Sequence, residues 1–274
     1  MRASLVALVG AVLIPDVLSH NIQGILLVNG TDTPEWKYVL DVEGPWAVGP
    51  WDYPPGSQAY KLAPIIGASD PNITCGRAAF NAAPRTEIAD VLAGSEVGFR
   101  VSADGYGNIN EPYPMGPTPP SFWHPGPAQI YLSRAPSDDL HNYRGDGDWF
   151  KISYAGPLDD SHWSLWGSAA HEFNFTIPKT TPPGKYLMRI ENFMPTNAQR
   201  DYTQFYVNCA FVNIMGPGGG GTPPTGFARF PGTYQPDDPG LVVPLNQDLM
   251  SGRLGVEDMR LMQYKPPGPA IWTG

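Results

Sequence analysis

Residues 204–214 read QFYVNCAFVNI, and this stretch decides the fold class. In an extended chain Gln204, Tyr206 and Asn208 share one face, and the apolar residues between them share the other. A period of two over so many residues predicts a β-strand with different surroundings on its two faces.

Shorter segments with the same strand character recur between turn signals. They are GILLVN (24–29), EVGFRVS (96–102), QIYLS (129–133), WFKIS (149–153), EFNFTI (172–177) and KYLMRI (185–190). No long stretch keeps a helical period. The 31 glycines and 32 prolines among 274 residues favour short strands joined by long loops. We therefore predict an all-β fold, an antiparallel β-sandwich of the immunoglobulin or fibronectin kind with long loops and short helical turns.

Residues 1–19 have the pattern of a signal peptide, with a positively charged start and the apolar core LVALVGAVLI. Val17 and Ser19 supply small residues before the predicted cleavage site. The apolar run is too short to span a bilayer, which argues against the alternative of a membrane anchor. We expect cleavage after Ser19 and a secreted, extracellular protein that does not associate with membranes.

The run GPGGGGTPPTG at residues 216–226 has the composition of an interdomain linker. The roughly fifty residues after it are too few and too irregular for a usual second domain. We expect them to wrap back along the sandwich, so that residues 20–274 form a single domain without an appended binding module.

The formal net charge of −9 makes nucleic acid an unsuitable partner, because neutralising phosphates requires clustered lysine and arginine. A neutral polymer or a small ligand remains compatible with this charge. We expect a monomer.

The only two cysteines, Cys75 and Cys209, are far apart in the sequence. In a secreted protein a disulfide is the expected state, and a metal site built from two thiolates is the alternative. Three sequons, at Asn29, Asn72 and Asn174, are candidate glycosylation sites and fit an extracellular route.

Cleavage after Ser19 makes His20 the new N-terminus. The α-amine of an N-terminal histidine and its own ring can bind one metal ion together, and one further imidazole completes a set of three nitrogens. Cu(II) favours tetragonal nitrogen sites and heads the divalent affinity order. The alternative is that His20 is merely an exposed terminus.

The partner imidazole must come from one of four other histidines. His124 lies in FWHPGPAQIYLS just before a predicted strand, where proline and glycine fix the backbone, and we rank it first. His141 and His162 lie in polar loop segments. His171 begins a predicted strand and could be packed or exposed.

Several motifs occur in an order that resembles fungal lytic polysaccharide monooxygenases of auxiliary-activity family nine, formerly a glycoside hydrolase family. They are His20 before a strand ending in VNG, PNITCG, LAGSEVGFRV, HPGPAQIYLS, DWFKIS, TIPKTTPPGKYLMR, QFYVNCA, DDPG and YKPPGPAIWTG. The resemblance covers nearly all of the mature chain, and the ordered set is far more specific than any single match.

The resemblance implies a role for particular residues. His20 would supply two nitrogens and His124 a third to one copper ion, an arrangement called the histidine brace. Tyr206 matches the axial tyrosine, and Gln204 matches the glutamine that hydrogen-bonds oxygen species near copper. Cys75 and Cys209 match a family disulfide.

The resemblance also implies an activity: oxidative cleavage of glycosidic bonds in cellulose or a related β-glucan, by hydroxylation at C1, C4 or both. Such an enzyme needs an external electron donor and peroxide or dioxygen. Tyr264 matches a surface aromatic that contacts the polysaccharide, and aromatics of residues 46–60 are further candidates, with core packing as the alternative for each. The sequence leaves open the regioselectivity, the preferred polysaccharide and the natural electron donor.

The sequence departs from the family pattern between Glu191 and Tyr206. Family members usually carry a histidine there, about ten residues before the glutamine, that is thought to orient or protonate the bound oxygen species. Here the stretch is ENFMPTNAQRDYTQFY, without histidine, and Thr196 or Arg200 is the candidate substitute. The departure affects the expected rate and oxidant preference and leaves the copper ligands intact.

Two other functions compete with the monooxygenase. One is a non-catalytic, secreted copper-binding or cell-wall polysaccharide-binding protein on the same scaffold. The other is a carbohydrate-binding sandwich in which the brace is incidental. A glycoside hydrolase needs two carboxylates flanking one bond, and no pair stands out by motif or context.

Overall fold

The computed structural model describes residues 20–43, 61–103, 120–122, 124–167, 169–195, 203–241 and 260–274. Regular structure in these ranges consists of β-strands and short 3₁₀ turns. The strands are β1 (Ile25–Val28), β2 (Thr31–Asp32), β3 (Ile65–Ile66), β4 (Ala89–Leu92), β5 (Glu96–Arg100), β6 (Ala128–Arg134), β7 (Phe150–Ala155), β8 (Glu172–Thr176), β9 (Gly184–Met194) and β10 (Gln204–Met215).

The strands form two sheets. The first has the order β2-β1-β5-β8 and is antiparallel throughout. The second has the order β3-β10-β9-β6-β7, also antiparallel. Strand β4 adds a parallel pairing to the far end of β10. The predicted all-β fold with two packed sheets is confirmed.

The two faces of β10 pack in different cores, as its alternating sequence predicts. Val212 and Ile214 are buried between the two sheets, in a core that also holds Phe99 of the first sheet. Phe205 and Phe211 point the other way, into a core under the loops that cover the second sheet. The face of Val212 and Ile214 is also the face of Tyr206, so the apolar core between the sheets becomes polar toward the start of β10.

Strand β9 is longer than its apolar pattern predicts. The sequence predicts a strand over residues 185–190, and the observed strand continues to Met194, in register with β10 so that Asn192 lies opposite Tyr206. The polar residues Glu191 and Asn192 break the apolar pattern, yet both are buried in the structure. This extension brings β9 beneath the site described below.

A disulfide joins Cys75 to Cys209, 134 residues apart in the sequence. It ties the loop after β3 to the middle of β10. In the chain-entropy model, closing a loop of this length stabilises the folded state by about 5 kcal/mol.

The residues after the glycine-rich run pack against the second sheet. Ala228 forms a β-bridge with Trp149, and Tyr234 is buried in the core under the loops. Near the C-terminus, the backbone N–H of Trp272 donates to the carbonyl of Lys151 on β7 at 2.7 Å.

In the part of the chain that the structure describes, no helix is long and apolar enough to cross a membrane.

Candidate metal site

Two histidine rings and one tyrosine ring meet at the end of the sandwich where the core becomes polar. The ring centroids of His20 and His124 are 5.7 Å apart. The Tyr206 ring is 6.1 Å from that of His20 and 5.8 Å from that of His124. Three residues that are 104 positions (20 to 124) and 82 positions (124 to 206) apart in the sequence therefore form one triangle of rings.

Each of the three rings belongs to a different part of the chain. His20 precedes β1, His124 lies in the Pro- and Gly-rich segment before β6, and Tyr206 belongs to β10. Strand β9 lies between β6 and β10 in the sheet, so it separates the elements that carry His124 and Tyr206.

Gln204 lies at the start of β10 beside this triangle. The Tyr206 hydroxyl donates a hydrogen bond to Oε1 of Gln204 at 2.9 Å. Gln204 is half-buried, whereas Tyr206 is buried. The bond uses the amide oxygen of Gln204 and leaves its Nε2 as the donor.

Both imidazoles are held in the neutral form. Burial, with the positive charge of Arg77 as a second cause, lowers the pKa of His20 to about 4. Burial, with His20 as a second cause, lowers the pKa of His124 to about 3. A neutral imidazole has a free nitrogen lone pair, which is the form that binds a metal ion.

The other three histidines have different neighbours. His141 lies edge-on to Phe211 and its Nε2 is 3.3 Å from the carbonyl of Thr86. Nδ1 of the exposed His162 is 2.9 Å from the carboxylate of Asp159. Nδ1 of His171 is 2.7 Å from the carbonyl of Pro120. Of the four candidate partners, the structure brings His124 to His20.

The donor set fits a copper ion that takes its third nitrogen from the main chain. Among the described residues there is no group of three or more His, Cys, Asp or Glu side chains that could hold a metal. Two neutral imidazoles alone supply only two nitrogen ligands, and the α-amine of a processed His20 would raise the number of nitrogen ligands to three. An oxygen-ligated ion such as Ca²⁺ would find too few donors here.

Tyr264, the predicted substrate-contacting aromatic, is half-buried near the C-terminus. Its hydroxyl donates to the carbonyl of Gly240 at 2.7 Å, and its ring packs edge-on against Trp163 at 5.0 Å. Burial raises the pKa of Tyr264 well above its usual value. The neighbouring carbonyl of Leu241 accepts a 2.8 Å hydrogen bond from the Thr203 hydroxyl, so two hydrogen bonds connect this tyrosine's surroundings to the start of β10.

Several predicted contributors lie outside the described residues: the aromatics of residues 46–60, and Thr196 and Arg200 as substitutes for the missing histidine. The three sequons are described. Asn29 is exposed in the turn after β1, Asn174 is exposed on β8, and Asn72 is half-buried with its Nδ2 donating to Asp70 at 2.8 Å. Glycosylation at these sites stays a prediction.

A group of buried carboxamides close to the ring-bearing segments was not predicted from the sequence. Its members, each at most 1% exposed, are Asn21, Gln23, Asn192 and Asn208. One signal was available: Asn208 shares a strand face with Gln204 and Tyr206. Asn192 lies in the stretch that lacks the family histidine, and no sequence pattern there marks it as a buried residue.

The model of Auxiliary Activity family 9 (formerly GH61) matches residues 20–252. This chain therefore belongs to that family of lytic polysaccharide monooxygenases.

Curated relatives agree. The chain is 60% identical over 274 residues to AA9 family lytic polysaccharide monooxygenase U of Thermothielavioides terrestris, covering all of both sequences. It is 33% identical over 281 residues to monooxygenase A of Aspergillus fumigatus, covering 100% of this chain and 83% of that one. The crystal structure of a cellulose-active polysaccharide monooxygenase from M. thermophila superposes with a TM-score of 0.63 at 22% identity, over 93% of this chain and all of the other, and shows the shared fold.

The protein is thus an oxidoreductase, a lytic polysaccharide monooxygenase of a family of copper enzymes that cleave polysaccharides oxidatively with an external reductant. Fungal members of the family are secreted.

Proposed function

We propose that this enzyme holds one copper ion with His20 and His124 and cleaves cellulose or a related β-glucan, hydroxylating C1, C4 or both. The observation that carries the proposal is the pair of buried, neutral imidazoles whose centroids are 5.7 Å apart beside Tyr206. Cleavage after Ser19 would free the α-amine of His20 as the third nitrogen. Residues 20–274 would then act as a single secreted domain and as a monomer.

Copper bound here would supply redox chemistry, accepting an electron from an external donor and activating peroxide or dioxygen for C–H hydroxylation. The roles of the chain's own residues follow from their contacts. The Tyr206 ring centroid lies 6.1 Å from that of His20 and 5.8 Å from that of His124, so this tyrosine would stand beside a copper ion that the two imidazoles held, as the resemblance implies for it. By donating to Oε1 of Gln204, the tyrosine orients that amide and leaves Nε2 as the group that would donate a hydrogen bond beside the copper site.

Tyr264 is proposed to contact the polysaccharide. A half-buried ring that is braced by Trp163 and anchored through its hydroxyl is a rigid surface, and a rigid aromatic loses little entropy on stacking against a sugar. Its connection through the Gly240–Leu241 backbone to Thr203 supports a position close to the metal site.

The first experiment is mass spectrometry of products released from cellulose by protein processed to begin at His20, loaded with one copper and supplied with reductant and peroxide. Aldonic acids would establish attack at C1, and 4-ketoaldoses attack at C4. The signal should vanish when copper is omitted. If copper is bound and no oxidised product forms from cellulose or soluble glucans, the proposed substrate class is wrong.

Two variants test the metal ligands. His124→Ala should weaken Cu(II) binding strongly, and the matched control His162→Ala, which removes an exposed histidine paired with Asp159, should not. Retaining Ser19 before His20 should also weaken binding, because the main-chain nitrogen is then an amide. Unchanged affinity with Ser19 retained would remove the α-amine from the ligand set.

A further inference from the structure

Asn192 contacts both chain segments that carry the histidine rings. Its Oδ1 accepts a hydrogen bond from Nδ2 of Asn21, the residue after His20, at a long 3.4 Å. Its Nδ2 donates to the carbonyl of Pro127, three residues after His124, at 3.2 Å. Asn192 is 1% exposed, so water cannot readily replace it as the hydrogen-bond partner of Asn21 and Pro127.

The backbone of Asn192 is fixed from both sides. It lies directly opposite Tyr206 in the β9–β10 pairing and directly opposite Ala128 in the β9–β6 pairing. A residue in a central strand with two paired neighbours has little freedom to shift. Asn192 is therefore a rigid point between the element that carries Tyr206 and the segment that carries His124.

The segment that carries His20 is held in part by side-chain hydrogen bonds. Residues 20–24 precede β1 and lie outside the strand ladders. The carbonyls of Ile22 and Gly24 accept backbone hydrogen bonds at 2.8 and 2.9 Å. Side chains add to these contacts nearer His20: the backbone N–H of Gln23 donates to Oδ1 of Asn208 at 2.9 Å, and Nε2 of Gln23 donates to Asn21. Asn21 in turn donates a hydrogen bond to Asn192, which connects the segment of His20 to β9.

We propose that Asn192 is a positioning residue that sets the separation of His20 and His124 by hydrogen-bonding the segments of both. This inference rests on the proposed copper site. A carboxamide suits the role because it accepts from one segment and donates to the other, which neither an aliphatic side chain nor a carboxylate can do. Residues that orient metal ligands commonly change metal affinity by about 10–100-fold when they are replaced.

The test is Asn192→Leu, which keeps the approximate volume and removes both hydrogen bonds. Cu(II) affinity is measured by competition with a chelator, the Cu(II) EPR spectrum is recorded, and the melting temperature of the copper-free protein is followed. We expect affinity to fall by about tenfold or more, with a changed EPR spectrum. Asn21→Ala lies outside the sheet and provides a second test in the event that Asn192→Leu does not fold. It removes the hydrogen bond to Asn192 and the one that Asn21 accepts from Gln23, and it leaves the bond from Asn192 to Pro127. It should give a smaller shift in the same direction.

The control is Thr181→Val, which removes a buried 2.7 Å hydrogen bond from Thr181 to the carbonyl of Pro178. It should lower the melting temperature of the copper-free protein without changing copper affinity or the EPR spectrum. Wild-type affinity and spectrum in both Asn192→Leu and Asn21→Ala would overturn the inference. Failure of the processed wild-type protein to bind copper would instead overturn the proposed function.

Discussion

Arg189→Met should destabilise the protein strongly, because it breaks a buried ion pair. The side chains of Arg189 and Glu191 are both 0% exposed, with Nη2 and Oε2 2.7 Å apart. Arg189 also donates to the carbonyl of Ile73 at 2.8 Å and to that of Thr74 at 3.0 Å. Its guanidinium lies 3.8 Å from the centre of the Phe230 ring.

The size of the effect follows from what remains. Glu191 keeps neutral donors, Nε2 of Gln129 at 2.9 Å and the Tyr234 hydroxyl. Removing one partner of a buried pair costs about 3–5 kcal/mol, since the other charge is left uncompensated. The buried carbonyls near Arg189 lose their donors as well, while the Lys151 ammonium still attracts Glu191. We expect the free energy of unfolding to fall by about 4 kcal/mol.

The assay is guanidinium chloride unfolding of copper-free protein, in a double-mutant cycle with Glu191→Gln. Removing both charges should cost less than the sum of the single losses, by at least about 1.5 kcal/mol. The matched control is Arg85→Met, whose exposed arginine pairs with Asp41 at 3.2 Å and should cost under about 1 kcal/mol. A loss below about 1 kcal/mol for Arg189→Met, or strict additivity in the cycle, would refute the reasoning.

Three further predictions concern single contacts. Tyr206→Phe loses the 2.9 Å hydrogen bond to Gln204 and should cost about 1 kcal/mol in thermal unfolding; a loss above about 3 kcal/mol would contradict so limited a contact. Replacing Cys75 and Cys209 together by serine opens a loop of 134 residues and should cost about 5 kcal/mol by denaturant titration, with a loss under about 2 kcal/mol as the contrary result. Burial, opposed by Glu191, lowers the pKa of Lys151 from 10.5 to about 8, so between these pH values the unfolded chain holds a proton that the folded chain releases. Stability from this group therefore rises with pH across that window, by at most about 1.4 kcal/mol per pH unit, and Lys151→Met should flatten the rise; parallel stability curves would exclude the effect.

Strand positions could be predicted wherever one face meets a core. The alternation of residues 204–214 matches β10 closely, because one face packs between the sheets and the other under the loops. The parallel pairing of β4 with β10 was not predictable, since a four-residue strand carries no signal for its partner. The end of β9 was missed because Glu191 and Asn192 are buried through polar partners that only the fold supplies.

The ring residues of the candidate site were proposed from the predicted processing of the chain and from the resemblance. The buried carboxamides that hydrogen-bond their segments were not predicted. His20 was identified as the predicted N-terminus after cleavage. Tyr206 and Gln204 were identified from the resemblance, and their shared strand face agreed with it. The sequence does not show whether an asparagine is buried or exposed, so Asn192 could be recognised only from its position between two strands. Sequence patterns locate faces of elements; the pairing of carboxamides across segments depends on tertiary contacts.

The wide sequence separation of the three rings has a consequence for biogenesis. Residues 20, 124 and 206 meet only after the first sheet, the β6 loop and β10 have all docked. Long-range contacts of this kind form late in folding. A partly folded, processed chain would offer copper only the α-amine and ring of His20, without the His124 imidazole. If the proposed site holds copper, the complete set of ligands would therefore exist only in chains that have completed folding, and copper binding would stabilise that folded state by mass action.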